Sequence, residues 1–229
     1  MKLQILSRPM PKKLRDDFYR ICANVVSNEK YARGIKKLEK YRHKFLLSED
    51  ELYKIALLYD HLAINQKNNR TVAAKKYLKK AEKIYRHILK TNPNYLHANY
   101  GIGRVYGVRG DYNRALKYQK KAYRQMLKLP RNQRGALGIG YIYKQKGNLK
   151  KAEEWYKKEL RICKNKDFGT TYNLFQFYKD TKNRKRASVY ARKMEHLVRS
   201  EFNKRTYQGL KIRQSNFVKS ILEDIKKLK

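Results

Sequence analysis

Gly101-Ile102-Gly103-Arg104-Val105-Tyr106, followed by Gly110, Tyr112 and Ala115, returns 37 residues later as Gly138-Ile139-Gly140-Tyr141-Ile142-Tyr143, followed by Gly147, Leu149 and Ala152. A recurrence that keeps glycines, aromatics and alanines in register marks one supersecondary unit stacked on copies of itself. In each copy, small residues and then an aromatic precede a Gly-Asp or Gly-Asn step, which reads as a closely packed helix stopped by glycine. Beyond the turn, Ala115 and Ala122 lie seven apart, and Ala152 and Tyr156 four apart, so they mark the inward stripe of a second helix. Pro93 and Pro130 close the preceding units, because proline is poorly tolerated inside a helix and restricts the residue before it.

Fainter copies flank these two. Ala56-x2-Tyr59 opens a unit whose second helix runs long, to Lys90 before Thr91-Asn92-Pro93. Tyr178 with Ala187 and Met194 forms another, and Cys22, Tyr31, Gly34 and Leu38 form the faintest. The layout resembles the tetratricopeptide repeat, a helix-turn-helix unit of about 34 residues. Ile102-Gly103-x2-Tyr106 and Ile139-Gly140-x2-Tyr143 match its first-helix signature, and Ala81-x3-Tyr85 and Ala152-x3-Tyr156 match its second. The family tryptophan is missing at Asn99 and Ala136.

The resemblance implies an all-α, right-handed solenoid of about five helix-turn-helix repeats over residues 15–199. A basic segment, residues 1–14, precedes it. Residues 200–229 carry Phe217, Ile221, Ile225 and Leu228 on one helical face and are expected to form a C-terminal capping helix, since solenoid ends need covers. With 229 residues, 41% of them apolar and only 4 prolines, the chain has material for one elongated helical domain. The apolar run before Arg8 is too short for a signal peptide or membrane helix, so the expected location is cytoplasmic. Cys22 and Cys163 are expected as packing residues of separate repeats, without zinc-type spacing.

The chain carries 58 Lys and Arg against 19 Asp and Glu, a net charge of +39. Folding does not require that excess and self-repulsion opposes it, so an anionic partner is expected. The cations gather in the second, or B, helix of each unit. In the resembled fold these helices line the convex wall, where Lys79, Lys80, Lys120, Lys121, Lys157 and Lys158 would form a basic band. The first, or A, helices line the concave groove. Residues expected to face it are Tyr53, His97, Tyr100, Arg104 and Arg134 in the first half, with Asp60 and His61. Tyr141, Lys144, Tyr172 and Lys179 follow. Aromatics interleaved with Arg and Lys suit an extended acidic peptide or single-stranded nucleic acid, since both combine anionic groups with flat or apolar side groups.

Catalytic signals dissolve on inspection. Gly101-x-Gly103 recurs with the repeat period and no strand precedes it, so close helix packing explains it better than a nucleotide loop. The five histidines form no metal pair and no nucleophile-base order, and the adjacent Glu153 and Glu154 are expected to pair with Lys157 and Lys158. No catalytic residue, metal site or cofactor is assigned. The resulting reading is a non-enzymatic adaptor that binds an acidic or extended protein segment. An RNA-binding or ribonucleoprotein role is the alternative, and anchoring on an anionic membrane surface is a third, weaker one. Thr171-Tyr172-Asn173-Leu174 resembles the opening of an RNA-reading pentatricopeptide repeat, but it is one residue short before Tyr178.

Overall fold

Gly110 and Gly147 both stand at positive φ, +82° and +81°, directly after a helix, and each is followed by a side chain that caps the next one. The Asp111 N–H donates to the Tyr106 carbonyl and the Asn148 N–H to the Tyr143 carbonyl, both at 2.9 Å, closing a Schellman-type end. The Asp111 and Asn148 side chains then accept from the backbone N–H groups of Arg114 and Lys151 at 3.0 Å. Two residues thus stop one helix and start its antiparallel partner.

The computed structural model describes residues 8–23, 28–64, 71–129, 135–163, 167–200, 206–207, 210–211 and 223. Among these are ten helices. Six lie in a first unit, Met1–Lys128. They are α1 (Lys12–Ala23), α2 (Asn28–Lys44), α3 (Glu49–Ile64), α4 (Val72–Thr91), α5 (Leu96–Val108) and α6 (Tyr112–Met126). The second unit, Leu129–Lys229, holds α7 (Ala136–Gln145), α8 (Leu149–Ile162), α9 (Phe168–Asp180) and α10 (Arg184–Ser200). Consecutive helices pair as α1/α2, α3/α4, α5/α6, α7/α8 and α9/α10, and within the first unit α4 also packs on α5 and α3 on α5. These are the five expected repeats, with α4 the long second helix read from the sequence.

The pairs close on small residues. A Cβ on Gly101 would lie 2.4 Å from the Tyr85 ring, and one on Gly140 would lie 2.8 Å from the Tyr156 ring. Gly103 meets Gln119, whose amide donates to the Tyr100 carbonyl at 2.9 Å. Ala81, Ala115, Ala122, Ala152 and Ala187 have no exposed surface and form the inward stripe. Asn99, at the position of the absent family tryptophan, is buried and donates to the Pro93 and Tyr95 carbonyls, fastening the turn before α5.

The segment ahead of the repeats is tied to the end of α2 over its described length. The Leu46 N–H donates to the Arg8 carbonyl at 2.9 Å, Met10 is buried, and helix begins at Lys12. At the other end, Thr206–Tyr207 (β1) pairs antiparallel with Leu210–Lys211 (β2), so this part of the expected capping helix is a short hairpin. Phe217, Ile221, Ile225, Leu228 and Pro130 lie outside the described residues.

Candidate functional site on the helix faces

On the A-helix side of the first unit, α3 and α5 bring Tyr53 and His97 together, ring centroids 5.2 Å apart, with Tyr95 6.2 Å and Tyr85 6.3 Å from Tyr53. Tyr95 is itself held by a hydrogen bond from its hydroxyl to Asp50. Tyr100 is half-buried on the same helix as His97.

Arg104 corrects the expectation of an open cation. Its Nε and Nη2 reach Asp60 Oδ2 at 2.7 Å and 2.5 Å, and Asp60 is completely buried rather than facing the groove. Burial pushes the Asp60 carboxyl up from its ordinary value against the pull of the guanidinium, while Arg104 stays protonated. The Arg104 side chain keeps 28% exposure, so one edge of a charge anchored from below still meets solvent. Burial, and then the Arg104 charge, push the neighbouring His61 down to about 4, and burial lowers His97 too. Both imidazoles are neutral at physiological pH, so any positive charge on this face comes from lysine and arginine alone.

In the second unit Tyr141 on α7 is half exposed, at 49%. Lys144 on α7 forms an ion pair with Asp180 at the end of α9, linking the two A helices, so this lysine is also engaged. Tyr172 is half-buried and Lys179 exposed on α9. Arg134 lies outside the described residues.

The B helices carry a second arrangement. The Tyr59 hydroxyl donates to Glu39 at 2.9 Å, that of Tyr106 to Glu82 at 3.1 Å, and that of Tyr178 to Glu153 at 2.8 Å. Each joins an A helix to the preceding B helix. Each of these tyrosines also stacks on an aromatic of the following B helix: Tyr59 on Tyr77, Tyr106 on Tyr118 and Tyr178 on Tyr190, at interplanar angles of 25°, 25° and 21°. Cations complete the stacks. Lys80 lies 5.1 Å from the Tyr59 ring centre, Arg114 4.7 Å from that of Tyr106 and Arg186 5.5 Å from that of Tyr178.

Among the sequence-predicted band lysines, Lys79 is exposed on α4, and Lys120 is half-buried on α6. Lys80 also donates to the Tyr59 hydroxyl, and Lys121 donates to the Pro93 carbonyl at 2.7 Å. Lys157 pairs with Glu153 at 2.5 Å as expected, and Lys158 lies over the Trp155 ring, 4.8 Å from its centre. The tyrosine-to-glutamate joints were missed. They have no fixed spacing, at separations of 20, 24 and 25 residues, whereas the stacks did carry a signal: Tyr106 to Tyr118 and Tyr178 to Tyr190 are both twelve residues apart, as are Tyr143 and Trp155.

Among the described residues no group of His, Cys, Asp or Glu is arranged to hold a metal ion, and no helix is long and apolar enough to cross a membrane. Cys22 and Cys163 are partly buried thiols outside any disulfide, and burial pushes that of Cys22 up to about 11.

A tetratricopeptide-repeat family model matches residues 135–166, which span α7 and α8. No curated protein matches the sequence. Among solved structures, a thermophilic TPR protein of Thermus thermophilus superposes with a TM-score of 0.63 at 16% identity, over 82% of this chain and 93% of that one. PilW, a widely conserved type IV pilus biogenesis factor, gives a TM-score of 0.63 at 15% identity over 95% of this chain and 92% of its own. MamA of Desulfovibrio magneticus RS-1 gives 0.58 at 18% identity, over 84% and 98%. At such identities the likeness is one of fold.

Proposed function

We propose that this chain, whose residues 135–166 match a tetratricopeptide-repeat model and whose fold is that of such repeats, is a non-enzymatic adaptor whose A-helix face holds an extended, acidic segment of a protein partner. The observation that carries the reading is Arg104. Asp60 fixes the guanidinium through two of its donors and leaves an exposed edge beside the Tyr53, His97 and Tyr100 surface. A carboxylate arriving there meets a cation already ordered, so little side-chain entropy remains to be lost, and aromatic surface lies beside it for the apolar part of a peptide. In the second unit Tyr141, Tyr172 and Lys179 repeat the same chemistry on α7 and α9. The net charge of +39 favours acidic partners over neutral ones and speeds their approach.

The test is titration of a fluorescein-labelled peptide of alternating Glu and Leu, followed by anisotropy. Replacing His97 and Tyr141 together by Ala removes exposed aromatic surface from each unit while leaving the Arg104–Asp60 pair in place. We expect binding weaker by roughly tenfold, about 1.4 kcal/mol, with an unchanged melting temperature. Equal affinity of wild type and variant at matched stability would remove the A-helix face as the site.

A further inference from the structure

Leu38 of α2, Ala81 of α4 and Ala122 of α6 are all fully buried and occupy the same place in successive B helices. Aligning the helices on them exposes a regularity that charge counting does not show. Five, two and one residues before this position, and two and six after it, α2 carries Arg33, Lys36, Lys37, Lys40 and Lys44. At those five positions α4 carries Lys76, Lys79, Lys80, Lys83 and His87. In α6 and its trailing turn they are Lys117, Lys120, Lys121, Arg124 and Lys128. All fifteen are exposed except the half-buried Lys120 and Lys121. Three stripes, with five, four and five Lys or Arg in α2, α4 and α6, each about 16 Å long at 1.5 Å per residue, therefore repeat in register within the first unit.

Two carboxylates beside the stripes are engaged with other groups, and Asp17 of α1 feels the charge of Lys37. Glu39 and Glu82, one residue after the alignment position in α2 and α4, accept from Tyr59 and Tyr106 of the next A helix and pair with Arg42 and with Arg86 and Arg109. In α6 the position is Tyr123, and α6 has no acidic residue at all. Like charges three and four residues apart on a helix oppose its formation, so a stripe repeated three times in register calls for an equally dense anion.

Half-buried aromatics flank the stripes of α4 and α6, where α2 has Gly34. Tyr77 and Tyr118, each four residues before the alignment position, stack on Tyr59 and Tyr106 with Lys80 and Arg114 over the partner rings. We propose that the B-helix face of α2, α4 and α6 is a binding surface for single-stranded nucleic acid, its phosphates on the lysine and arginine stripes and its bases against the tyrosine stacks. A single strand presents one fixed charge per nucleotide together with flat groups, which matches both features at once. An acidic peptide supplies the charge without a flat group at each step. A lipid surface would need apolar companions for insertion, and the stripe positions hold none. This surface is separate from the A-helix face, and the proposal stands or falls independently of the peptide reading.

The experiment is anisotropy of a fluorescein-labelled oligouridylate bound to the full chain, from about 50 to 200 mM salt. The wild type should bind with a log-log salt slope of about −0.7 per contacted phosphate. Lys76→Glu, Lys83→Glu, Lys117→Glu and Arg124→Glu combined should weaken binding at least about tenfold and flatten the slope by about 2 to 3. The same four positions changed to Gln give a milder variant, with circular dichroism as the check on folding. A charge-matched control reverses Lys12, Lys13, Lys150 and Lys185, exposed at the starts of other helices, and should keep the wild-type slope. Equal losses in the stripe variant and the control would overturn the proposal, reducing it to net charge. Binding of polyglutamate as tight as that of oligouridylate, or binding of phosphatidylserine vesicles without oligouridylate, would overturn it in favour of those surfaces.

Discussion

The Tyr106 hydroxyl on α5 donates to Glu82 on α4 at 3.1 Å while accepting from Arg86 at 2.5 Å, so one phenol is the joint between consecutive repeats. Glu82 is held below its ordinary carboxylate value because the hydrogen bonds and charges of Arg86, Arg109 and Tyr106 outweigh its partial burial. Replacing Tyr106 by Phe removes the hydroxyl from this network and keeps the ring. We expect a loss of about 0.5–1.5 kcal/mol in urea unfolding. A double-mutant cycle with Glu82→Gln should give a nonzero coupling, and additive losses would show that the hydrogen bond contributes nothing.

Arg104→Ala leaves the Asp60 carboxylate buried without its cation, which should cost about 3–5 kcal/mol. The pair replaced together by Asp60→Leu and Arg104→Met should recover most of that loss, because well-packed apolar side chains avoid the desolvation of both charges. The comparison is made by thermal and chemical denaturation. A single variant as stable as the wild type would mean that Asp60 is not confined as described.

Lys182 stands where Gly110 and Gly147 stand in the preceding units. It has φ +56°, and Asn183 after it donates to the Tyr178 carbonyl just as Asp111 and Asn148 donate to Tyr106 and Tyr143. A side chain in this left-handed conformation costs about 1–2 kcal/mol. Lys182→Gly should therefore raise stability, by about 1 kcal/mol or less once glycine's greater freedom in the unfolded chain is counted. Gly147→Ala should lower it, although a Cβ there meets nothing within 4 Å. Thermal melts of the two variants beside the wild type check both signs.

The stability of the fold should fall as pH drops from neutrality toward 4. His61 in the folded chain is pushed down to about 4 from 6.5, so between these values the unfolded state binds the proton and the folded state does not. Stability contributed by the neutral imidazole is full above pH 6.5 and is lost as pH falls through that window. Because His61 is only partly buried, we expect about 1–2 kcal/mol rather than the full value of the shift. His61→Asn should flatten the profile between pH 6.5 and 4.5. Below that, Glu82 and Glu153, both lowered, add a loss of their own as they protonate.

Helix starts, stops and pairing were legible in the sequence because their causes are local. A glycine that accepts positive φ and an Asp or Asn that caps the next helix lie side by side in the chain, and the buried alanines follow the helical period. The candidate site was legible by residue type alone. Tyr53 and His97 do share a face, yet Arg104 was read as an open cation, and Lys144 as another, when both already hold carboxylates.

The sequence by itself determined the repeat, its register and the excess of positive charge, since each is a matter of composition or of spacing within a few turns. Only the tertiary structure decided which charges remain available. Asp60 and Arg104 are 44 residues apart, Glu82 and Arg109 are 27, and Glu153 and Arg186 are 33. Such pairs meet across helix interfaces whose geometry is set by how Gly101, Gly103 and Gly140 let the backbones approach, so no short-range pattern marks a cation as already paired. The stripes on α2, α4 and α6 stand out for the same reason: packing turns Glu39 and Glu82 toward the neighbouring tyrosines and leaves most of the stripe residues exposed.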